Sequence, residues 1–153
     1  MILTPARKHD AAHLAAMSRR LIEAGLEPCW TKERIERSLK HEDSVVLTAR
    51  LHGQIGGFGI MQYGDSAAHL NLLAVEPMHR RHGIGLKLVR WLEDTARGAG
   101  IFKIELEVRA INAGARAFYQ TLGYEETKLI EGYYQNVEDA IRLSRDLTSA
   151  HIQ

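Results

Sequence analysis

The stretch Leu70-Asn71-Leu72-Leu73-Ala74-Val75-Glu76-Pro77-Met78-His79-Arg80-Arg81-His82-Gly83-Ile84-Gly85 decides the fold. It reads as an apolar strand, a bend marked by Pro77, a basic glycine loop and the first turn of a helix. Leu88, Val89, Leu92 and Ala96 follow at spacings of three and four, the apolar stripe of an amphipathic helix. A loop that brings Arg80 and Arg81 to a helix N-terminus suits an anion, because unpaired amides and the helix dipole both favour negative charge there. Gly83 and Gly85 lack the Cβ atoms that would hold a phosphate off the backbone. The segment predicts a pyrophosphate cradle and hence a phosphate-bearing cofactor. It is neither a P-loop nor a dinucleotide fingerprint, since it lacks the lysine step of one and the three-glycine spacing of the other. Its plainer reading is a solvated basic turn with helix-capping glycines.

Outward from this segment, helices and strands alternate without a linker. Upstream, residues 1–4 read as a first strand, and Asp10 as the cap of a helix over residues 10–23 with Leu14, Met17, Leu21 and Ile22 on its apolar stripe. Thr31 caps a second helix carrying Ile35 and Leu39. Ser44–Leu51 and Gln54–Tyr63 form a hairpin around His52-Gly53, and Gly64-Asp65-Ser66 turns into the strand Ala68–Val75. Downstream, the helix from Ile84 stops near Gly98 and Gly100. A strand over residues 103–108 follows, then a helix capped by Asn112, and strands over residues 125–130 and 140–147. This order predicts one α/β domain over residues 1–153, with a mixed sheet.

Bulk properties narrow the function classes. A net charge of +1 gives no global pull toward nucleic acid or membrane, so anion recognition must be local. Cys29, the only cysteine, excludes an internal disulfide and fits a reducing, cytoplasmic setting. No leader-like opening and no run of about 18 apolar residues is present.

A second constellation runs from Asn112 through Ala115, Tyr119 and Gly123 to Tyr124. Singly, Asn112 reads as a helix cap and Tyr119 as an aromatic at the core edge. Together with the basic loop they resemble the GNAT superfamily of acetyl-coenzyme A-dependent N-acetyltransferases. The family pattern Q/R-x-x-G-x-G/A is met by Arg80, Gly83 and Gly85, after the L-x-V-x-P of Leu73, Val75 and Pro77. The pattern N-x-x-A-x-x-x-Y-x-x-x-G-F/Y is met by Asn112, Ala115, Tyr119, Gly123 and Tyr124. Within the superfamily the chain is similar to the RimI-like group, which acetylates protein N-termini. That similarity rests on Leu106-Glu107-Val108-Arg109-Ala110 followed by Asn112, on Tyr133-Tyr134 with Glu138-Asp139-Ala140, and on Trp30-Thr31.

The resemblance implies a single GNAT domain with a mixed, mostly antiparallel sheet flanked by helices. The strands at residues 68–75 and 103–108 would splay to admit acetyl-coenzyme A and an amine acceptor from opposite sides. Arg80 and the amides of Arg81, His82, Gly83, Ile84, Gly85 and Leu86 would hold the pyrophosphate. Leu73, Ala74 and Val75 would pair with the pantetheine arm, one N–H polarising the thioester carbonyl as a preorganised donor. Asn112 would fix the pantetheine, and Tyr119 would protonate the departing thiolate. Glu107 would be the general base, with a pKa raised by desolvation, and Tyr133 and Tyr134 would line the acceptor site. His69 and Asn71 are rival base candidates, His69 because an imidazole titrates near neutrality. A plainer reading makes Glu107 an outward strand carboxylate beside Glu105, and Tyr133 and Tyr134 the cover of a sheet edge.

The expected acceptor is a protein or peptide N-terminus. The alternatives are a small amine (polyamine, amino acid or aminoglycoside) and a non-catalytic coenzyme A sensor. A monomer or homodimer is expected, without metal, nucleic acid or membrane partners. His79 and His82 lack the partners of a metal site, and Cys29 lacks an activating neighbour. Gly53, Gly56, Gly57 and Gly59 fall in a hairpin and its second strand, where bulges and close packing account for them.

Overall fold

The computed structural model describes residues 1–80 and 82–148. The strands are β1 (Ile2–Pro5), β2 (Ser44–Leu51), β3 (Gln54–Tyr63), β4 (Ala68–Val75), β5 (Lys103–Arg109), β6 (Glu125–Tyr134) and β7 (Glu138–Asp146). The helices are α1 (Ala11–Leu21), α2 (Lys32–Lys40), α3 (Ile84–Gly98) and α4 (Ala113–Thr121), with short 3-10 turns at Lys8–Asp10 and Pro77–His79. The strands make one sheet in the order β1-β2-β3-β4-β5-β7-β6, antiparallel throughout except for β4 beside β5. That parallel pair follows from the α3 crossover between the two strands. Among the described residues no helix is long and apolar enough to cross a membrane.

Parallel pairing stops early. Only Ala68–Ile104, His69–Glu105 and Leu70–Leu106 face each other, after which β4 runs to Val75 and β5 to Arg109 without a shared ladder. The expected splay is therefore present. A bulge sits at the same level: Met61 pairs with Leu70 but Ile60 pairs with Leu72, leaving Asn71 as the extra residue. It reverses the facing of β4. Leu70 packs in the core beneath α3, whereas Leu72 and Ala74 pack beneath α1 with Phe58 and Ile60.

Several local expectations change in detail. Asp10 precedes α1 but makes no side-chain cap; its carboxylate takes the Arg7 N–H at 2.8 Å and the Arg50 guanidinium at 2.6 Å instead. The first helix ends at Leu21, because Glu23 is used by the loop that follows. Thr31 does cap α2, accepting the Arg34 N–H at 3.2 Å. The last hairpin is longer than expected, carrying Tyr133 and Tyr134 on β6 and starting β7 at Glu138.

Two glycines of β3, Gly57 and Gly59, are packed closely against β4 and α3. A Cβ at Gly57 would lie 2.9 Å from the Ala74 carbonyl oxygen and 3.2 Å from Ile84, and one at Gly59 would lie 3.1 Å from Leu92. We expect Gly57→Ala to cost about 1–3 kcal/mol, read as a lower urea midpoint at unchanged slope.

Candidate active site

Gly83 adopts the left-handed conformation, φ +78°, and ends the loop directly before Ile84. No side chain caps α3, so the amides of its first turn remain unpaired within the helix. A Cβ at Gly83 would meet nothing within 4 Å among the described residues. Gly85 carries a packing constraint as well. Its missing Cβ would lie 3.0 Å from the Phe118 ring, so a side chain there would press α3 against α4. Ile84 buries its side chain, while Leu86 and His82 are exposed. Arg80 turns back, its Nε donating to the Val75 carbonyl at 3.2 Å. Arg81 lies outside the described residues.

Leu73, Ala74 and Val75 pair with Gly59, Phe58 and Gly57 on one side and, among the described residues, have no strand partner on the other. Their free edge thus begins where β5 diverges. Asn112 realises its capping role, its Oδ1 accepting the Ala115 N–H at 3.0 Å, which leaves its amide N–H groups to offer. Tyr119 is packed edge-on between Phe118 and Tyr124, at centroid distances of 5.1 and 5.6 Å. Burial pushes its phenol pKa up, so the hydroxyl stays protonated at neutral pH. It makes no hydrogen bond among the described residues. No enclosed side-chain polar atom there is left unpaired, so the O–H opens to solvent-accessible space.

On the opposite face, four strands converge on Glu107. Its side chain is only 4% exposed. Oε1 accepts from His69 Nε2 at 2.5 Å and from the Tyr133 hydroxyl at 3.2 Å, and Oε2 accepts from Arg142 Nε at 2.8 Å. The other nitrogen of His69, Nδ1, contacts Asn71 Oδ1. The expected raised pKa is corrected here. Burial pushes the Glu107 carboxyl up, but hydrogen bonds and charge from His69 and Arg142 outweigh it and hold the pKa at about 2. The same contact with Glu107 raises the pKa of His69, against the opposing effect of burial.

The aromatic pair closes this side. Tyr133 and Tyr134 stand edge-to-face at 4.9 Å, on a strand that is also the sheet edge. Burial, followed by the neighbouring Tyr133 and Glu107, pushes the Tyr134 phenol pKa up. Arg34 stacks 3.7 Å above the Trp30 ring on the loop between α1 and α2.

A model of the Acetyltransferase (GNAT) family matches residues 13–124. This chain belongs to the GNAT family. It is 38% identical over 93 residues to the [Ribosomal protein bS18]-alanine N-acetyltransferase of Escherichia coli K12, a match covering 59% of this chain and 63% of that protein. It is 31% identical over 142 residues to the N-alpha-acetyltransferase RimI of Mycobacterium tuberculosis, covering 90% and 87% of the two chains. The crystal structure of the Escherichia coli ribosomal-protein-S18-alanine N-acetyltransferase superposes with a TM-score of 0.81 at 27% identity, over 95% of this chain and 93% of that one. The single α/β GNAT fold and the mostly antiparallel sheet are thus as the motifs implied.

Of four residues that frame the GNAT cleft here, Arg109 falls within a quoted motif and the other three carry no signal there. Buried Glu23 accepts the Cys29 N–H at 2.6 Å, the Trp30 N–H at 3.2 Å and the Ser18 hydroxyl at 3.1 Å, fixing the loop after α1. Arg109 donates to the Ala24 carbonyl at 2.8 Å while paired with Glu138. Gln135 makes a two-way clasp with Glu27, donating to its carbonyl at 2.7 Å and accepting its N–H at 3.0 Å. Arg142 is the fourth, through its bond to Glu107. Glu23 and Glu27 lie within a few residues of the Trp30-Thr31 step, which is the only hint the sequence holds for them.

Proposed function

We propose that this protein transfers the acetyl group of acetyl-coenzyme A to a primary amine, the α-amine of a protein or peptide N-terminus. The observation that carries this reading is the gap between β4 and β5. On one face it has an unpaired strand edge beside the open N-terminus of α3; on the other it has the cluster around Glu107. Donor and acceptor would enter from opposite faces and meet at the edge of Leu73 to Val75. Acetyl-coenzyme A supplies an acetyl group already activated as a thioester.

The chain's own groups account for the rest. The first-turn amides of α3 and Gly83 suit a pyrophosphate, and the amide of Asn112 suits the pantetheine arm. A free N–H on the β4 edge suits a developing negative charge on the carbonyl oxygen. Tyr119, held protonated by burial, donates its proton to the departing sulfur. The ammonium of the acceptor loses its proton into the Glu107 cluster. An intact Tyr119 and glycine loop argue against a coenzyme A sensor.

The acceptor side is ringed by Tyr133, Tyr134, Trp30 and the cations Arg34 and Arg142, and Glu107 is already paired. Such a wall suits the narrow end of a peptide better than a polycationic amine. The two relatives are named alanine N-acetyltransferase and N-alpha-acetyltransferase, which supports an α-amine.

Thiol release from acetyl-coenzyme A against a panel of peptides and small amines tests this reading. Turnover confined to polyamines, amino acids or aminoglycosides would reject the peptide acceptor, and tight cofactor binding without any turnover would favour a sensor. Gly83→Val should raise the KM for acetyl-coenzyme A at least tenfold, since the side chain meets both a left-handed φ and the ligand's approach. An unchanged KM would remove the loop from the site. Gln135→Ala should instead raise the KM for the peptide several-fold and leave that for acetyl-coenzyme A alone, because it releases the loop after α1 at Glu27 and Cys29.

A further inference from the structure

We propose that His69 is the group that takes the proton from the acceptor ammonium, and that buried Glu107 holds and orients it. The proposal rests on the acetyl-transfer reading above and deepens it. Both oxygens of Glu107 are already engaged, by His69 and Tyr133 on one and by Arg142 on the other. Three of the carboxylate's roughly four acceptor sites are thus taken, by donors on three other strands. The two side chains also differ in access, 41% exposed for His69 against 4% for Glu107. The imidazole therefore stands between the carboxylate and the cleft.

This is the arrangement of a histidine base with a buried carboxylate behind it, one ring nitrogen anchored on the carboxylate and the other held by an Asn71 side chain that the incoming ammonium displaces. Nε2 is anchored on Glu107, and Nδ1 faces Asn71. Rotation of the Asn71 amide presents N–H2 in place of the oxygen, so one neighbour serves both the imidazolium and the neutral ring. The bulge at Asn71 is what brings it to that nitrogen. Of the three ammonium protons, one passes to Nδ1 and on to water. A second passes through the Tyr119 hydroxyl to the departing sulfur, and the third stays on the amide nitrogen as the C–N bond forms and the C–S bond breaks.

The charged and titratable groups facing His69 set the pH at which it works. Glu107 on β5 raises its pKa and Arg142 on β7 opposes this, while Tyr133 on β6 bonds to the same carboxylate and Glu105 lies opposite His69 in register. Only the neutral ring is a base, so activity should rise with pH through a midpoint above the ordinary histidine range.

Histidine-selective NMR titration combined with the pH profile of kcat/KM decides the matter. In the wild type, the His69 midpoint and the acidic limb of kcat/KM should coincide. Glu107→Gln should move both to lower pH together, and Arg142→Gln, which removes an opposing charge, should move both to higher pH. His69→Gln should abolish the limb and lower kcat/KM about 100-fold. A limb that survives in His69→Gln at near wild-type rate overturns the proposal. So does a His69 midpoint that neither Glu107→Gln nor Arg142→Gln moves, and this readout needs no turnover. Failure of the wild type to release thiol with any amine would be the distinct failure of the acetyl-transfer reading.

Discussion

Tyr119→Phe should lower kcat for acetyl transfer about 100-fold, leaving the fold and the KM for acetyl-coenzyme A unchanged. The loss corresponds to about 2.7 kcal/mol of transition-state stabilisation. The separation between fold and rate follows from the packing. The ring of Tyr119 makes the contacts with Phe118 and Tyr124, and phenylalanine keeps them. The hydroxyl has no hydrogen-bond partner among the described residues, so its removal leaves no polar group orphaned. What disappears is a proton donor at the leaving group. Steady-state kinetics beside a thermal melt tests this: an equal fall in kcat and Tm would assign Tyr119 to the core, and an unchanged kcat would remove it from the chemistry.

The largest expected effect on stability lies away from the cleft, at Glu93. This carboxylate on α3 is fully buried and accepts from Arg145 at 2.7 Å, from Arg90 at 2.7 Å and from the Tyr124 hydroxyl at 2.9 Å. It ties α3 to β7 and to the start of β6. Glu93→Ala leaves Arg145, 15% exposed, and a buried phenol without their acceptor. Breaking a buried pair on one side costs about 3–5 kcal/mol, which for a domain of this size is a fall in Tm of about 10 °C. Calorimetry of the variant should show it, and Glu93→Gln should recover part of the loss. A shift below about 2 °C would mean that the network stabilises little.

How much of this was legible along the chain depends on the range of the interaction. The β4–loop–α3 segment was legible because its signals are local: apolar alternation, Pro77, a glycine at positive φ and a helical stripe. Asn112 and Thr31 were legible as caps for the same reason. The bulge at Asn71 was not, since residues 70–75 read alike whichever way Leu72 faces. Gly85 carries a second constraint that the local pattern does not show, the Phe118 ring on another helix. Glu107 is the most instructive case. Desolvation alone implied a raised pKa, but the groups that overcome it are His69 and Arg142, 38 and 35 residues away. Only the register of β5 with β4 and β7 brings them together.

The most direct test of the central claim offers the protein a peptide with a free α-amine and one internal lysine, with acetyl-coenzyme A, beside the same peptide blocked at its N-terminus. Mass spectrometry locates the acetyl group while thiol release is followed. We predict one acetyl group on the α-amine of the free peptide, stoichiometric thiol release, and neither with the blocked peptide. Equal acetylation of the lysine in both peptides, or thiol release only with small polyamines, would contradict the account.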